Sequence, residues 1–172
     1  MTDPAITIDP ATGEELERYP RLDEAQAKAA VERCHEAFDQ WRHTTLEHRA
    51  GVLRAIGRRL RERKDELAEL MSREVGKLIG DSRDEVELCA AICDYTAETG
   101  PQELASEERA PANASRATIT YAPIGVIYGI QPWNFPAYQV ARYAIANLMT
   151  GNGVLLKHAE NCTGSGLKLK EI

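Results

Sequence analysis

The chain has 172 residues, with 21 Lys and Arg against 27 Asp and Glu, a formal net charge of −6, and 43% hydrophobic and 28% charged residues. That balance is of a globular protein, with no apolar run near the roughly 20 residues of a membrane span, and the opening Met1-Thr2-Asp3-Pro4 has neither the basic nor the apolar region of a secretion signal. Net acidity disfavours non-specific nucleic-acid binding, and a reducing, cytoplasmic location is the expectation. The four cysteines, Cys34, Cys89, Cys93 and Cys162, match no zinc spacing and read as small core residues.

Charge is unevenly spread: only 7 charged residues fall in 111–172. The first part therefore reads as surface helices and the second as buried sheet and helix. Ile6 to Leu16 alternates and then turns, a hairpin bending over Pro10 to Gly13. Asp23 with Gln26 forms a capping box, followed by Ala27, Val31, Cys34, Phe38 and Trp41 at helical spacing. A second capping box, Thr44-x-x-Glu47, opens a helix whose stripe is Leu46, Ala50, Leu53, Ile56 and Leu60, continued by Leu67 and Met71. A third helix begins near Asp81, carries Val86, Cys89, Cys93 and Ala97, and stops at Gly100-Pro101. The basic run Arg54 to Lys64 has two readings, a nucleic-acid surface or a solvated helix face. Glu62 interrupts it and no aromatic residue offers a stacking platform, which favours the second.

A polar loop spans Ser106 to Ser115, and Ala117 to Tyr121 then alternates like a half-exposed strand. Ile124 to Ile130 is a continuous apolar run, the pattern of a strand buried on both faces. Gln131-Pro132-Trp133-Asn134-Phe135-Pro136 is a tight loop, with Pro136 at the start of a helix that stops at Gly151-Asn152-Gly153. Val154 to Lys157 is the next buried strand, which makes a parallel, right-handed βαβ unit. A further helix starts near Thr163 and shows no stop signal by Ile172. Two parallel strands are too few for a doubly wound sheet, so the chain reads as an N-terminal piece of something larger.

In an open α/β sheet, ligands bind at the carboxyl ends of the strands. Residues 131–136 and 157–160 lie at two such ends and face one crevice. Lys157 supplies a cation, Glu160 accepts from a diol such as a ribose, Trp133 offers a flat surface, and the Asn134 amide suits a developing oxyanion. The plainer alternative is that Trp133 and Phe135 are core and Asn134 is a turn residue. No Gly-x-Gly-x-x-Gly is present to hold a pyrophosphate.

Pro132-Trp133-Asn134-Phe135-Pro136, followed by the run from Gly151 to Glu160, closely resembles the aldehyde dehydrogenase superfamily. Asp9 to Glu14, Glu74-Val75-Gly76-Lys77 and Tyr121 to Val126 fit it as well, so the resemblance covers essentially the whole chain. It implies an α/β fold: N-terminal helical segments plus the first βαβ unit of a Rossmann-like dinucleotide-binding domain, incomplete at the C-terminus. The division it suggests is a hairpin and helical part over 1–116, a strand of an oligomerisation arm over 117–123, and the start of the NAD-binding sheet over 124–172.

The implied activity is NAD(P)-dependent oxidation of an aldehyde to its carboxylic acid. In the family a cysteine thiolate attacks the aldehyde, hydride passes to the nicotinamide, and a glutamate base assists hydrolysis of the thioester. Asn134 matches the asparagine that holds the oxyanion. Ile130, Gln131, Pro132, Trp133 and Asn134 match the cofactor-contacting loop, and Lys157, Ala159 and Glu160 match the segment at the adenosine ribose. An acidic Glu160 accepts from a ribose 2′-hydroxyl and repels a 2′-phosphate, which favours NAD over NADP. Tyr138 and Arg142 share a helix face after the loop. An arginine at the matching position reads the substrate carboxylate in succinate-semialdehyde dehydrogenases, the subgroup this wording is most similar to. The alternative is that Arg142 pairs with a neighbouring carboxylate.

The family's nucleophilic cysteine and glutamate base match nothing in these 172 residues, and Cys162 stands in the wrong context to replace the former. The chain alone is therefore expected to be inactive. Its expected partners are a small aldehyde substrate and, in the full-length enzyme, further copies in a homo-oligomer, with no nucleic acid, membrane or metal. A different class of reading is a truncated, non-catalytic relative serving as an assembly or binding module.

Overall fold

The computed structural model describes residues 3–110 and 116–172. It opens with an antiparallel hairpin, β1 (Ala5–Ile8) and β2 (Glu15–Tyr19), bending where Pro10 to Gly13 predict. Four helices follow: α1 (Glu24–Trp41), α2 (Leu46–Glu62), α3 (Lys64–Val75) and α4 (Ile79–Glu103). A two-stranded antiparallel ribbon, β3 (Glu107–Arg109) with β4 (Ala117–Ile119), leads to β5 (Val126–Ile130), α5 (Tyr138–Met149) and β6 (Gly153–Lys157). Strands β5 and β6 pair in parallel, the βαβ unit expected from the sequence. A 3₁₀ turn, Glu160–Cys162, leads into α6 (Thr163–Glu171).

The core lies where α2, α4 and α5 meet. Leu53, Leu60, Val86, Cys89, Cys93, Ile145 and Met149 fill it, with Leu67 and Met71 of α3. Small residues let the helices approach closely. A Cβ on Gly100 would stand 2.6 Å from the Met149 side chain, so α4 and α5 pack at a distance only glycine permits.

The local signals held at α1, where Asp23 and Gln26 form the capping box in both directions. At α2, α3 and α4 the structure corrects them. The cap of α2 is Thr45, whose hydroxyl accepts from the His48 amide, because the Thr44 hydroxyl is already committed: it donates to the Trp41 carbonyl and accepts from Arg49. The stripe read as one helix to Met71 is two helices, broken at Arg63, whose φ of −108° and ψ of 19° lie outside the α-helical range.

Helix α4 does not stop at Gly100-Pro101 but continues to Glu103. Proline there deprives the Ala97 carbonyl of its helical donor, and the Arg54 guanidinium supplies one instead, at 3.2 Å. Others of the basic run are taken up similarly: Arg61 pairs with Glu87 and Asp94, and Arg63 with Glu66 and Glu171. Strand β3 lies within the stretch read as a polar loop; its Glu107, Glu108 and Arg109 carry no alternation that would mark it. The rest of that stretch, from 111 to 115, lies outside the described residues.

Strand β5 is not buried on both faces. Gly129 faces α5 so closely that a Cβ would stand 2.3 Å from the Tyr143 ring. Alternation puts Val126, Tyr128 and Ile130 on the other face. Helix α1 covers that face only at its Val126 end, where Phe38 and Cys34 pack on Gly153. Tyr128 and Ile130 are left 55% and 67% exposed. Among the described residues, no helix is long and apolar enough to cross a membrane.

Candidate functional site at the strand ends

The parallel pair brings the two suspected segments together. The Gln131 amide donates to the Lys157 carbonyl at 3.0 Å, so the loop after β5 leaves the sheet beside the end of β6. Ile130 and Gln131 thus stand next to Lys157, with Pro132, Trp133 and Asn134 following on one side and Ala159 and Glu160 on the other. Trp133 and Phe135 are exposed, not core: the Trp133 indole is a free platform, 53% accessible. No protein group among the described residues takes up the Asn134 side-chain amide, and Lys157 has no ion-pair partner there.

The far end of the loop is anchored. Pro136 and Ala137 are fully buried, and the first amides of α5 are met by Glu85, a buried residue of α4. Its Oε1 accepts from the Ala137 and Tyr138 amides at 2.8 and 2.9 Å. Its other oxygen receives the Lys77 ammonium, which also sits 4.0 Å from the centre of the Phe135 ring. A carboxylate at a helix N-terminus is favoured by the dipole and replaces a local cap, which Ala137 does not supply.

The other flank is built the same way. Glu74, at the end of α3, accepts from the amides of Gly164 and Ser165, both at 2.8 Å, and from the Ser165 hydroxyl. It thereby caps α6. Burial pushes the Glu74 carboxyl above its usual range, partly offset by these three hydrogen bonds.

His158 ties the two flanks together. Its Nε2 lies 2.8 Å from the Pro136 carbonyl and its Nδ1 accepts from the Ala159 amide, so it carries its proton on Nε2. Burial lowers its pKa, which keeps it neutral. The Cys162 thiol is 3.1 Å from the same Nδ1. This is not an activated cysteine: Nδ1 already holds one donor, and burial, with Glu74 and Glu85 nearby, pushes the thiol up to about 12. Burial likewise raises the Cys34 and Cys89 thiols and holds Cys93 at about 12. None of the four suits a nucleophile.

Glu160 corrects a premise of the sequence reading, which treated its carboxylate as free. Arg21, just beyond β2, holds both its oxygens, Nη1 to Oε1 at 2.5 Å and Nη2 to Oε2 at 2.7 Å. Arg21, and more weakly Lys157, hold the carboxyl below its usual range. Arg142 is exposed on α5 with no ion pair among the described residues, so the alternative of a neighbouring carboxylate finds no partner there. Tyr138 is turned inward, edge-on to Phe135 with ring centres 6.0 Å apart, and packs against the core.

Sequence reasoning missed Arg21, Lys77, Glu85 and His158. Glu85 had a signal, since it falls with Ser82, Val86, Cys89 and Cys93 on the buried face of its helix. A carboxylate there demands a partner. Arg21 had none, being joined to Glu160 only by the fold.

An exposed flat indole, a free amide and a cation near a carboxylate follow the ends of the two parallel strands, a donor and acceptor set whose chemistry suits a dinucleotide. Among the described residues no group of three or more His, Cys, Asp or Glu is placed to hold a metal. The chain is 41% identical to an NADP(+) succinate-semialdehyde dehydrogenase of Deinococcus radiodurans, over 98% of its own length and 35% of the relative's. It is 42% identical to the NAD(P)+ succinate semialdehyde dehydrogenase Sad of Escherichia coli, over 98% and 36%. The crystal structure of succinic semialdehyde dehydrogenase from Streptococcus pyogenes in complex with NADP+ superposes with a TM-score of 0.92 at 34% identity, covering 97% of this chain and 37% of that one. The chain thus spans just over a third of the length of these relatives. The aldehyde dehydrogenase family profile matches residues 2–172, and the chain belongs to that family.

Proposed function

We propose that this chain forms the N-terminal part of a nicotinamide-dependent aldehyde dehydrogenase that oxidises succinate semialdehyde to its carboxylic acid. The observation that carries this reading is the free Asn134 amide, exposed beside Trp133 and Lys157 on a loop whose other end is buried. When bound, the nicotinamide supplies the hydride acceptor. The chain's own residues bind and orient. Trp133 and Ile130 offer apolar surface to a planar group, and Lys157 and Glu160 face the adenosine ribose. The Asn134 amide donates to the substrate oxygen as negative charge develops there, and Arg142 meets the distant carboxylate with a bidentate fork. The named specificities of the relatives support the semialdehyde, and several are named for NADP. The preference for NAD drawn from a free Glu160 loses its electrostatic basis once Arg21 neutralises that carboxylate.

Residues 1–172 alone do not turn over in this reading, since the family's nucleophile and base match nothing in them and the four thiols present are held protonated. Purified chain given NAD or NADP and succinate semialdehyde should show no rise in nicotinamide absorbance; steady turnover would refute the assignment. In the enzyme that carries this segment, Asn134→Ala should lower kcat by about 10²–10³-fold with little change in KM, as removal of one oxyanion donor does. An unchanged kcat would remove Asn134 from the role.

A second reading is assembly. Among the described residues, strands β3 and β4 pair only with each other, and Ile119 and Tyr121 are exposed. A two-stranded ribbon is marginal alone in water, which supports its serving as an oligomerisation arm over residues 117–123. Light scattering before and after Ile119→Lys tests this: the assembled mass should fall, and an unchanged mass would refute it.

A further inference from the structure

Arg21 lies outside every segment so far given a role, yet the fold delivers it to the end of β6. Strand β1, whose Ala5 and Thr7 are buried, packs against the 3₁₀ turn that carries Glu160. This fixes the hairpin and sets the residues just beyond β2 beside the turn. The guanidinium is then held at three points: Nε donates to the Asp3 carbonyl at 2.7 Å, and Nη1 and Nη2 grip the two carboxylate oxygens of Glu160. Of its five N–H groups two remain, one on each terminal nitrogen. Two cations, Arg21 and Lys157, face Glu160, while the Asp3 carboxylate acts more weakly on Arg21.

The chemistry follows from this count. A lone carboxylate beside a ribose accepts a hydrogen bond from a 2′-hydroxyl and repels a 2′-phosphate. A carboxylate gripped on both oxygens by a guanidinium carries no net charge as a pair. The carboxylate keeps lone pairs for a hydroxyl, and the guanidinium presents two N–H groups that suit a phosphate. We propose, resting on the assignment of the β6 end to the adenosine ribose, that Arg21 is a specificity-determining residue: by holding Glu160 it lets this position take a 2′-phosphate as well as a 2′-hydroxyl. The discrimination belongs to the pair, and a glutamate at position 160 does not by itself dictate NAD.

The test uses binding, with adenosine 2′,5′-bisphosphate and adenosine 5′-monophosphate as probes and calorimetry on the chain at low ionic strength. Wild type should bind both. Arg21→Ala should weaken the bisphosphate by about tenfold and the monophosphate by no more than about twofold, because a charge-assisted contact is lost only to the former. Arg21→Lys should restore part of the difference, and Glu160→Gln, which releases the guanidinium, should tighten the bisphosphate. Arg21 is exposed, and an unchanged circular dichroism spectrum confirms that each variant folds. If both probes bind and Arg21→Ala leaves their ratio unchanged, the pair is an ordinary surface ion pair and the proposal fails while the cofactor site stands. If neither probe binds wild type, the cofactor assignment fails and this proposal with it.

Discussion

Helices α5 and α6 both begin beside the crevice, and each begins on a buried glutamate delivered from a distant part of the chain. Glu85 reaches the amides of Ala137 and Tyr138, and Glu74 those of Gly164 and Ser165. The difference lies in what completes each carboxylate. Glu85 has a cation, Lys77, which also supports the Phe135 ring. Glu74 has no cation among the described residues and is completed by a hydroxyl, that of Ser165. The first arrangement holds a charged group in place behind an exposed loop. The second holds a carboxyl whose charged form is disfavoured by burial, and so makes its flank sensitive to pH. A buried anchor behind the loop and free donors in front of it are complementary: Asn134 and Trp133 are exposed while Pro136 and Ala137 are buried and held by Glu85.

The largest effect should come from breaking the paired cap. Glu85→Ala strands the Lys77 ammonium and two backbone amides, and should destabilise the chain by about 3–5 kcal/mol in denaturant unfolding. A loss below that of the Glu74 variant would invert the comparison. Glu74→Ala leaves two amides and a hydroxyl without their acceptor and should cost about 2–3 kcal/mol.

The pH dependence sharpens the difference. The folded Glu74 carboxyl titrates above its unfolded value near 4.5, so between those two values the folded state binds the extra proton. This contribution favours folding at the acid end and is lost as pH rises through the folded value. Its sign is opposite to that of a salt-bridged carboxylate. Glu74→Gln should remove that fall, which unfolding curves at stepped pH would detect.

A smaller loss is expected in the sheet. Gly129→Ala presses a methyl into the Tyr143 ring and should cost about 1–3 kcal/mol by overpacking. At the bottom of the order, Trp133→Ala should change stability by less than about 0.5 kcal/mol, since the indole is exposed and supports nothing. A loss of several times that would make Trp133 a core residue after all.

The order of the elements and the βαβ unit were legible because they rest on local patterns. Asp23 with Gln26 caps α1 as written, and the continuous apolar run marks β5. Two of the errors share a cause: a local signal was overridden by a group from elsewhere. Pro101 fails to stop α4 because Arg54 satisfies the carbonyl that proline leaves open. Thr44 fails to cap α2 because Arg49 and Trp41 claim its hydroxyl. The site followed the same division. Position alone put residues 131–136 and 157–160 at the ends of two parallel strands, where they lie in the structure. Of the groups that position or neutralise them, Glu85, His158 and Arg21 act across 22 to 139 residues of sequence, and only Glu85, on the buried face of its helix, leaves a local mark. Arg21 bears directly on a conclusion, since a free Glu160 would favour NAD whereas the pairing removes that electrostatic ground.

The central claim is that the crevice at the ends of β5 and β6 receives a dinucleotide, and the chain's two tryptophans offer a direct test. Trp133 stands exposed at the crevice, whereas the Trp41 indole N–H is tied to the Leu148 carbonyl at 2.9 Å, away from it. In a ¹⁵N-labelled sample titrated with NADP and then NAD, the indole resonance of Trp133 should shift progressively and that of Trp41 should stay fixed. Movement of Trp41 alone, or of neither at millimolar cofactor, would contradict the account.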